Sequence, residues 1–274
     1  MPAAERLKIG HITPSSNTVL EPMTELMSRQ LEGRVSHHFA RIRVAAITLD
    51  RRHTGQFAAA PMLEAAEALA DAAVDAIMWN GTSGGWNGID ADRALCALIA
   101  ERTGIPCSTT TLAQLELLEQ LGLSRCALAL PYTEDVAERI TRVLCGEGLK
   151  IVSSAFGGVS DNRTFAHVSE RRVRQLARDA NSPEAECVLI YCTGLAGAQL
   201  AAELEAELGK PVYDSVAVTL WKALHLVGIE PRLGGWGSLL GGEILAPARD
   251  RGRVPARDGS HAAGGHGEAS GITN

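Results

Sequence analysis

The sequence is poor in aromatic residues: Phe, Trp and Tyr together make up 4% of it. Proteins that hold single-stranded nucleic acid stack its bases on aromatic rings, and so few rings argue against that class. Cations are not clustered either. No stripe of Lys and Arg interrupts a formal net charge of −6, whereas a phosphate backbone is bound by clustered positive charge. No nucleic-acid partner is expected. No apolar run approaches the roughly 20 residues of a membrane-spanning helix, and Met1 to Lys8 lacks the apolar stretch of a secretion signal. The chain is therefore expected to be cytoplasmic, without a membrane partner. The cysteines Cys96, Cys107, Cys126, Cys145, Cys187 and Cys192 form no CxxC pair and no zinc-ligand spacing. Free thiols, mostly small core residues, are expected. Nothing implies a metal, a nucleotide, a flavin or any other cofactor.

What is present is an alternation. Hydrophobic residues make up 46% and charged residues 21%, enough apolar material for a real core. Short apolar runs at Leu7–Thr13, Val35–Val44, Val74–Trp79 and Pro106–Ser108 read as strands. Helical patterns at Pro22–Leu31, Ala58–Asp71, Asp90–Thr103 and Thr111–Leu121 separate or follow them. The same rhythm returns. Strands are predicted at Arg125–Leu130, Lys150–Ala155, Glu186–Tyr191 and from Val212, with helices at Glu134–Gly146, Glu170–Ala180, Ala196–Leu208 and Val216–Val227. Strands linked by helices of this length form parallel sheets covered on both faces. The predicted fold class is α/β: two pseudo-symmetric, Rossmann-like parallel-sheet halves with the active site in the cleft between them. The first half is placed at residues 1–120, with its C-terminal helix free to pack on the other half, and the second at 121–245. Residues 246–274 are rich in Pro, Gly, Arg, Asp and Ser, and are expected to be disordered. The oligomeric state is left open, with a homo-oligomer allowed.

Three landmarks recur in the same order in both halves. A strand ends in Pro14 and then Ser15, Ser16 and Asn17; its counterpart ends in Pro131, Tyr132, Thr133 and Glu134. The strand before Gly81-Thr82-Ser83 matches the strand before Cys192-Thr193-Gly194. Gly104-Ile105-Pro106 matches Gly209-Lys210-Pro211. Ligands of open α/β sheets bind beyond the carboxyl ends of strands, and all these loops lie at such ends. They should converge on one cleft. The alignment sets Cys192 against Gly81. A site with a thiol on each side could remove a proton from one face of a substrate and return it to the other; this chain keeps one thiol. The loops at Gly81-Thr82-Ser83 and Cys192-Thr193-Gly194 each precede a predicted helix, so their amides and hydroxyls make an anion cradle. A thiol is mostly protonated at neutral pH and suits a proton donor, although a helix N-terminus could lower its pKa.

At these residues the chain resembles the Asp/Glu racemase superfamily, over about residues 7–240. The segment Pro14–Pro22 resembles its maleate cis-trans isomerase branch. Gly81-Thr82-Ser83, Gly104–Thr110 and Pro131–Val136 resemble arylmalonate decarboxylase. The resemblance implies Cys192 as the catalytic residue and Asn17, Gly81, Thr82, Ser83, Tyr132, Thr193 and Gly194 around a small carboxylic or dicarboxylic acid substrate. Racemases and maleate isomerases of this superfamily use two cysteines. Gly81 stands at the first, as in arylmalonate decarboxylase, while Thr193 and the stretch Gly84–Gly88 depart from that enzyme. A cofactor-independent lyase acting α to a carboxylate, decarboxylating a malonate-like acid, is the leading expectation. Maleate-type isomerisation or racemisation, and a non-catalytic binder of small acids, are the alternatives. Structural readings stand beside the functional ones. Asn17, Thr82, Ser83, Asp214 and Ser215 are also candidate helix caps, His11 a satisfied strand histidine, Trp79 a core residue, and Gly234–Gly237 a tight turn.

Overall fold

Short apolar runs feeding amphipathic helices give two four-stranded sheets, both wholly parallel. The computed structural model describes residues 6–50 and 55–243. Its strands are β1 (Leu7–Pro14), β2 (Val35–Ile42), β3 (Ala76–Trp79), β4 (Cys107–Thr109), β5 (Arg125–Leu130), β6 (Lys150–Phe156), β7 (Cys187–Ile190) and β8 (Val212–Asp214). The helices are α1 (Leu20–Ser28), α2 (Ala59–Asp71), α3 (Gly84–Asn87), α4 (Ile89–Thr103), α5 (Thr110–Gln120), α6 (Glu134–Gly146), α7 (Glu170–Ala180), α8 (Ala201–Leu208), α9 (Ser215–Leu226) and α10 (Gly237–Gly241). Every residue of β3 and β7 is buried, as helices on both faces of a parallel sheet require. Among the described residues no helix is long and apolar enough to cross a membrane. All six cysteines are free.

The helices follow local rules. In α7 the buried residues Val173, Leu176, Ala177 and Ala180 fall on one stripe, and the Ser169 hydroxyl accepts from the Arg172 N–H at 3.3 Å to cap its start. Gly104 (φ 71°) and Gly209 (φ 67°) end α4 and α8 in the left-handed conformation, where glycine has no Cβ penalty. Each is followed two residues later by a proline that cannot extend a helix. This is the physical content of the repeated Gly-x-Pro landmark.

The strand orders are β2-β1-β3-β4 and β6-β5-β7-β8, the same arrangement twice. In each, the chain leaves the central strand first to one side and then to the other. The crevice at such a reversal is where open α/β sheets bind ligands. The reversals fall at the carboxyl ends of β1 and β3 in one sheet and of β5 and β7 in the other. Helix α9 follows β8 but packs on α5 and reaches β3, β4 and α1, and the Thr110 and Thr219 hydroxyls meet at 2.8 Å.

Four local expectations are corrected. The loop expected through Gly85 closes into α3, held by the burial of Trp86 and by the Arg139 guanidinium, which donates to the Trp86 carbonyl at 3.1 Å. The helix expected from Ala196 starts as a 3-10 turn at Ala198–Leu200 and becomes α-helical only at Ala201. Gly197 passes so close to the Asp214 carboxylate that a Cβ would lie 2.5 Å from it, and regular helix begins after that crossing. Strand β2 ends at Ile42, before Val44. Gly237 opens α10 instead of only closing a turn. The tail at 246–274 lies outside the described residues.

Candidate active site

The four loops meet around a narrow cavity of about 20 Å³, room for little more than one water molecule. Asn17, Gly81, Thr82, Ser83, Tyr132, Cys192, Thr193 and Gly194 all line it. Pro14, Val44, Ile47, Phe57, Trp79, Trp86 and Asn162 complete the wall. Val44, read only as a strand end, and Ile47, Phe57 and Asn162 were not singled out in the sequence as site residues, because they sit on connecting loops and short 3-10 turns that carry no motif.

The polar side chains divide into those already committed and those with a proton to give. Asn17 is fully committed. Its Oδ1 accepts from the N–H groups of Val19 and Leu20 at 3.0 Å each, capping the start of α1. Its Nδ2 donates to the Thr193 carbonyl at 3.0 Å and hydroxyl at 3.3 Å. That hydroxyl in turn donates to the Asn80 carbonyl at 3.1 Å. Asn17 and Thr193 therefore sew the two halves together beside the cavity. Behind them His11 Nδ1 meets Asn80 Oδ1 at 3.3 Å, and His11 Nε2 meets His37 Nδ1 at 2.9 Å. Burial holds His11 well below the usual histidine range, with His37 adding to the effect. It is a satisfied strand histidine.

The Thr82 and Tyr132 hydroxyls share one hydrogen bond of 2.9 Å, which leaves one of their two protons over. Ser83 caps nothing; its hydroxyl accepts from Trp79 Nε1 at 3.0 Å and keeps its own proton. Among the described residues, none accepts a hydrogen bond from the backbone N–H of Thr82, Ser83 or Thr193, although all three residues are buried. Buried backbone donors are nearly always paired. Three unpaired ones, beside the Ser83 proton and the spare proton of the Thr82–Tyr132 pair, make an anion-binding surface. Part of the wall is aromatic: Trp79, Phe57, Trp86 and Tyr132, with Phe165 behind them, form a succession of edge-to-face contacts at centroid distances of 6.4, 5.8, 5.5 and 5.4 Å.

Cys192 is buried at the end of β7. Burial pushes its thiol up to about 11, reinforced by the Asp214 charge and opposed by hydrogen bonds from the Tyr132 hydroxyl and the Gly194 N–H. The Gly194 N–H lies 3.3 Å from the sulfur. The helix dipole that could have lowered this pKa does not act, because no α-helix begins until Ala201 and the effect fades within one turn. The resting group is a thiol. Asp214 caps α9 by accepting from Val216 and Ala217 at 2.8 and 3.1 Å, and Ser215 donates to the Ile190 carbonyl at 3.0 Å. Neither lines the cavity.

A single thiol held where two alike parallel sheets meet at their reversal points defines a member of the Asp/Glu racemase superfamily, on the maleate isomerase and arylmalonate decarboxylase branch. Within it, the family model described as arylmalonate decarboxylase matches residues 44–240, and the chain belongs to that family. It is 34% identical over 145 residues to the arylmalonate decarboxylase of Bordetella bronchiseptica, a match spanning 52% of this chain and 60% of that protein. It is 23% identical over 246 residues to the maleate isomerase of Alcaligenes faecalis, covering 86% of this chain and 96% of the relative. The crystal structure of the maleate isomerase Iso from Pseudomonas putida S16 superposes with a TM-score of 0.80 at 22% identity, over 87% of this chain and 99% of that one. These relatives are enzymes.

Proposed function

We propose that this protein is a cofactor-independent decarboxylase of malonate-like acids in which Cys192 protonates the intermediate. The retained carboxylate is held by the Ser83 hydroxyl, the one spare proton of the Thr82–Tyr132 pair and the N–H groups of Thr82, Ser83 and Thr193. The bond to the second carboxylate breaks and CO₂ leaves. The electron pair passes to the α-carbon and is delocalised over the retained carboxylate as an enediolate, which the same donors stabilise. The proton on Cys192 Sγ moves to the α-carbon, and solvent reprotonates the thiolate. The apolar wall of Val44, Ile47 and Phe57 favours the step that turns a charged carboxylate into neutral CO₂. Asn17 and Thr193 act through position, since their side chains are occupied, and Thr193 contributes its N–H.

The observation that carries this reading is the lone, buried thiol, neutral at rest, beside unpaired donors and facing glycine at the symmetry-related position. It calls for an acid acting from one side. The test is CO₂ release from aryl- and alkylmalonates without added cofactor. Cys192→Ala should lower kcat by about 10²- to 10⁴-fold, the usual worth of a general acid. Full turnover by that variant would remove Cys192 from the mechanism. Maleate-type isomerisation is the second reading, supported by the nearly full-length match to the Alcaligenes faecalis enzyme. Loss of alkene absorbance without CO₂ would move the assignment there.

A further inference from the structure

Gly81 occupies the position that matches Cys192 across the two halves, and the space a side chain would need there is already filled. A Cβ built on Gly81 lies 2.3 Å from Trp79 Cζ2, 2.4 Å from Cε2 and 2.9 Å from Nε1. All three atoms belong to a rigid, fully buried indole. Its Nε1 is tied to Ser83 at 3.0 Å, and the Phe57 ring stands edge-on to it. Its backbone is pinned in mid-sheet, with Trp79 registered against Ile12 on one side and Thr109 on the other. Trp79 itself lines the cavity.

We propose that Trp79 is the specificity-determining residue of this site: its indole occupies the place of a second thiol and closes the first sheet's face of the cavity to proton transfer. This rests on proton delivery by Cys192 as proposed above. Protons then reach the substrate's α-carbon only from the Cys192 side, and the product leaves as one enantiomer. Installing a cysteine at position 81 is not enough to open the other face. The indole must shrink as well.

Four proteins test this: the wild type, Gly81→Cys, Trp79→Leu and the double variant, each given a prochiral, unsymmetrically substituted malonate and then the enantiopure product in D₂O. Gly81→Cys alone should scramble the product no faster than the wild type, and so should Trp79→Leu alone. The double variant should scramble it at least tenfold faster. Scrambling by Gly81→Cys equal to that of the double variant would overturn the proposal. A urea titration decides the steric claim separately from turnover. Gly81→Ala should lower the unfolding midpoint strongly beside Trp79, and less than half as much in the Trp79→Leu background, or should fold only in that background. Equal drops in both backgrounds would overturn it. A wild type that releases no CO₂ and exchanges no α-proton sinks the proposed function instead, and leaves the urea comparison to decide the role of Trp79.

Discussion

On the proposed mechanism Cys192 sets the pH behaviour of turnover. Its thiol is pushed up to about 11, chiefly by burial, so the acid form persists well past the pH at which an ordinary thiol ionises. The alkaline limb of kcat/KM should therefore fall near pH 11; a limb between pH 8 and 9 would show that the working thiol is not the buried one described. The Tyr132 hydroxyl works against that rise by favouring the thiolate. Tyr132→Phe should move the limb further up while costing on the order of 10²- to 10³-fold in kcat, the worth of one oxyanion donor. At this scale the sequence was partly legible. The repeat exposed the exchange of Cys192 for Gly81, because spacing survives in a one-dimensional string. The overlap of Gly81 with Trp79 was not legible: strand periodicity gives the face of a side chain, not the path of its ring. Asn17 was weighed as a cap or a substrate contact, and its amide caps α1 while gripping Thr193.

Among the elements, the long ones were readable and the short ones were not. Helices α2, α6 and α7 lie where the periodicity puts them, because each has a full apolar stripe. Helix α3 does not announce itself. Two of its four residues are glycine, poor helix formers, and its shape comes from packing on α6. Asp92 joins this region to its neighbours. It accepts from the Thr109 hydroxyl at 2.5 Å, linking α4 to β4, and a Cβ on Gly84 would lie 2.6 Å from its carboxylate. Burial raises Asp92 to about 7. In the unfolded chain it ionises near its ordinary value, about 4, so the folded state binds the extra proton between those limits. The stability this supplies is fully present below pH 4 and is lost as the pH rises to about 7. Asp92→Asn has no such term. Its stability relative to wild type should climb from pH 4 to pH 7 in chemical denaturation, and a constant difference would refute the assignment.

For the whole molecule, the decisive feature is that one strand order occurs twice and the two reversal points face each other. Alternating strands and helices made the α/β class and the repeat legible. The lid over the site was not, because it is made by contacts between loops far apart in sequence. Ala46 and Asp161 form an isolated antiparallel bridge. The Ile47 N–H donates to the Ser160 carbonyl at 2.9 Å, and the Asn162 N–H to the Ala45 carbonyl at 3.2 Å. Asn162 Nδ2 also donates to the Ser16 hydroxyl at 2.7 Å. This seam covers a chamber too small for any substituted malonate. Bridge partners in an antiparallel pair sit within reach of a disulfide. A protein carrying Ala46→Cys and Asp161→Cys should lose turnover when oxidised and recover it with reductant. Undiminished turnover of the oxidised form would place the entrance elsewhere.

The small size of the chamber would merge two kinds of traffic. On the proposed mechanism Cys192 becomes a buried thiolate once it has given up its proton, a state that burial disfavours. Parting the seam would release the product and recharge the acid in the same movement. On the proposed mechanism opening would then pace the cycle, and the narrow chamber would limit the solvent protons that compete with Cys192.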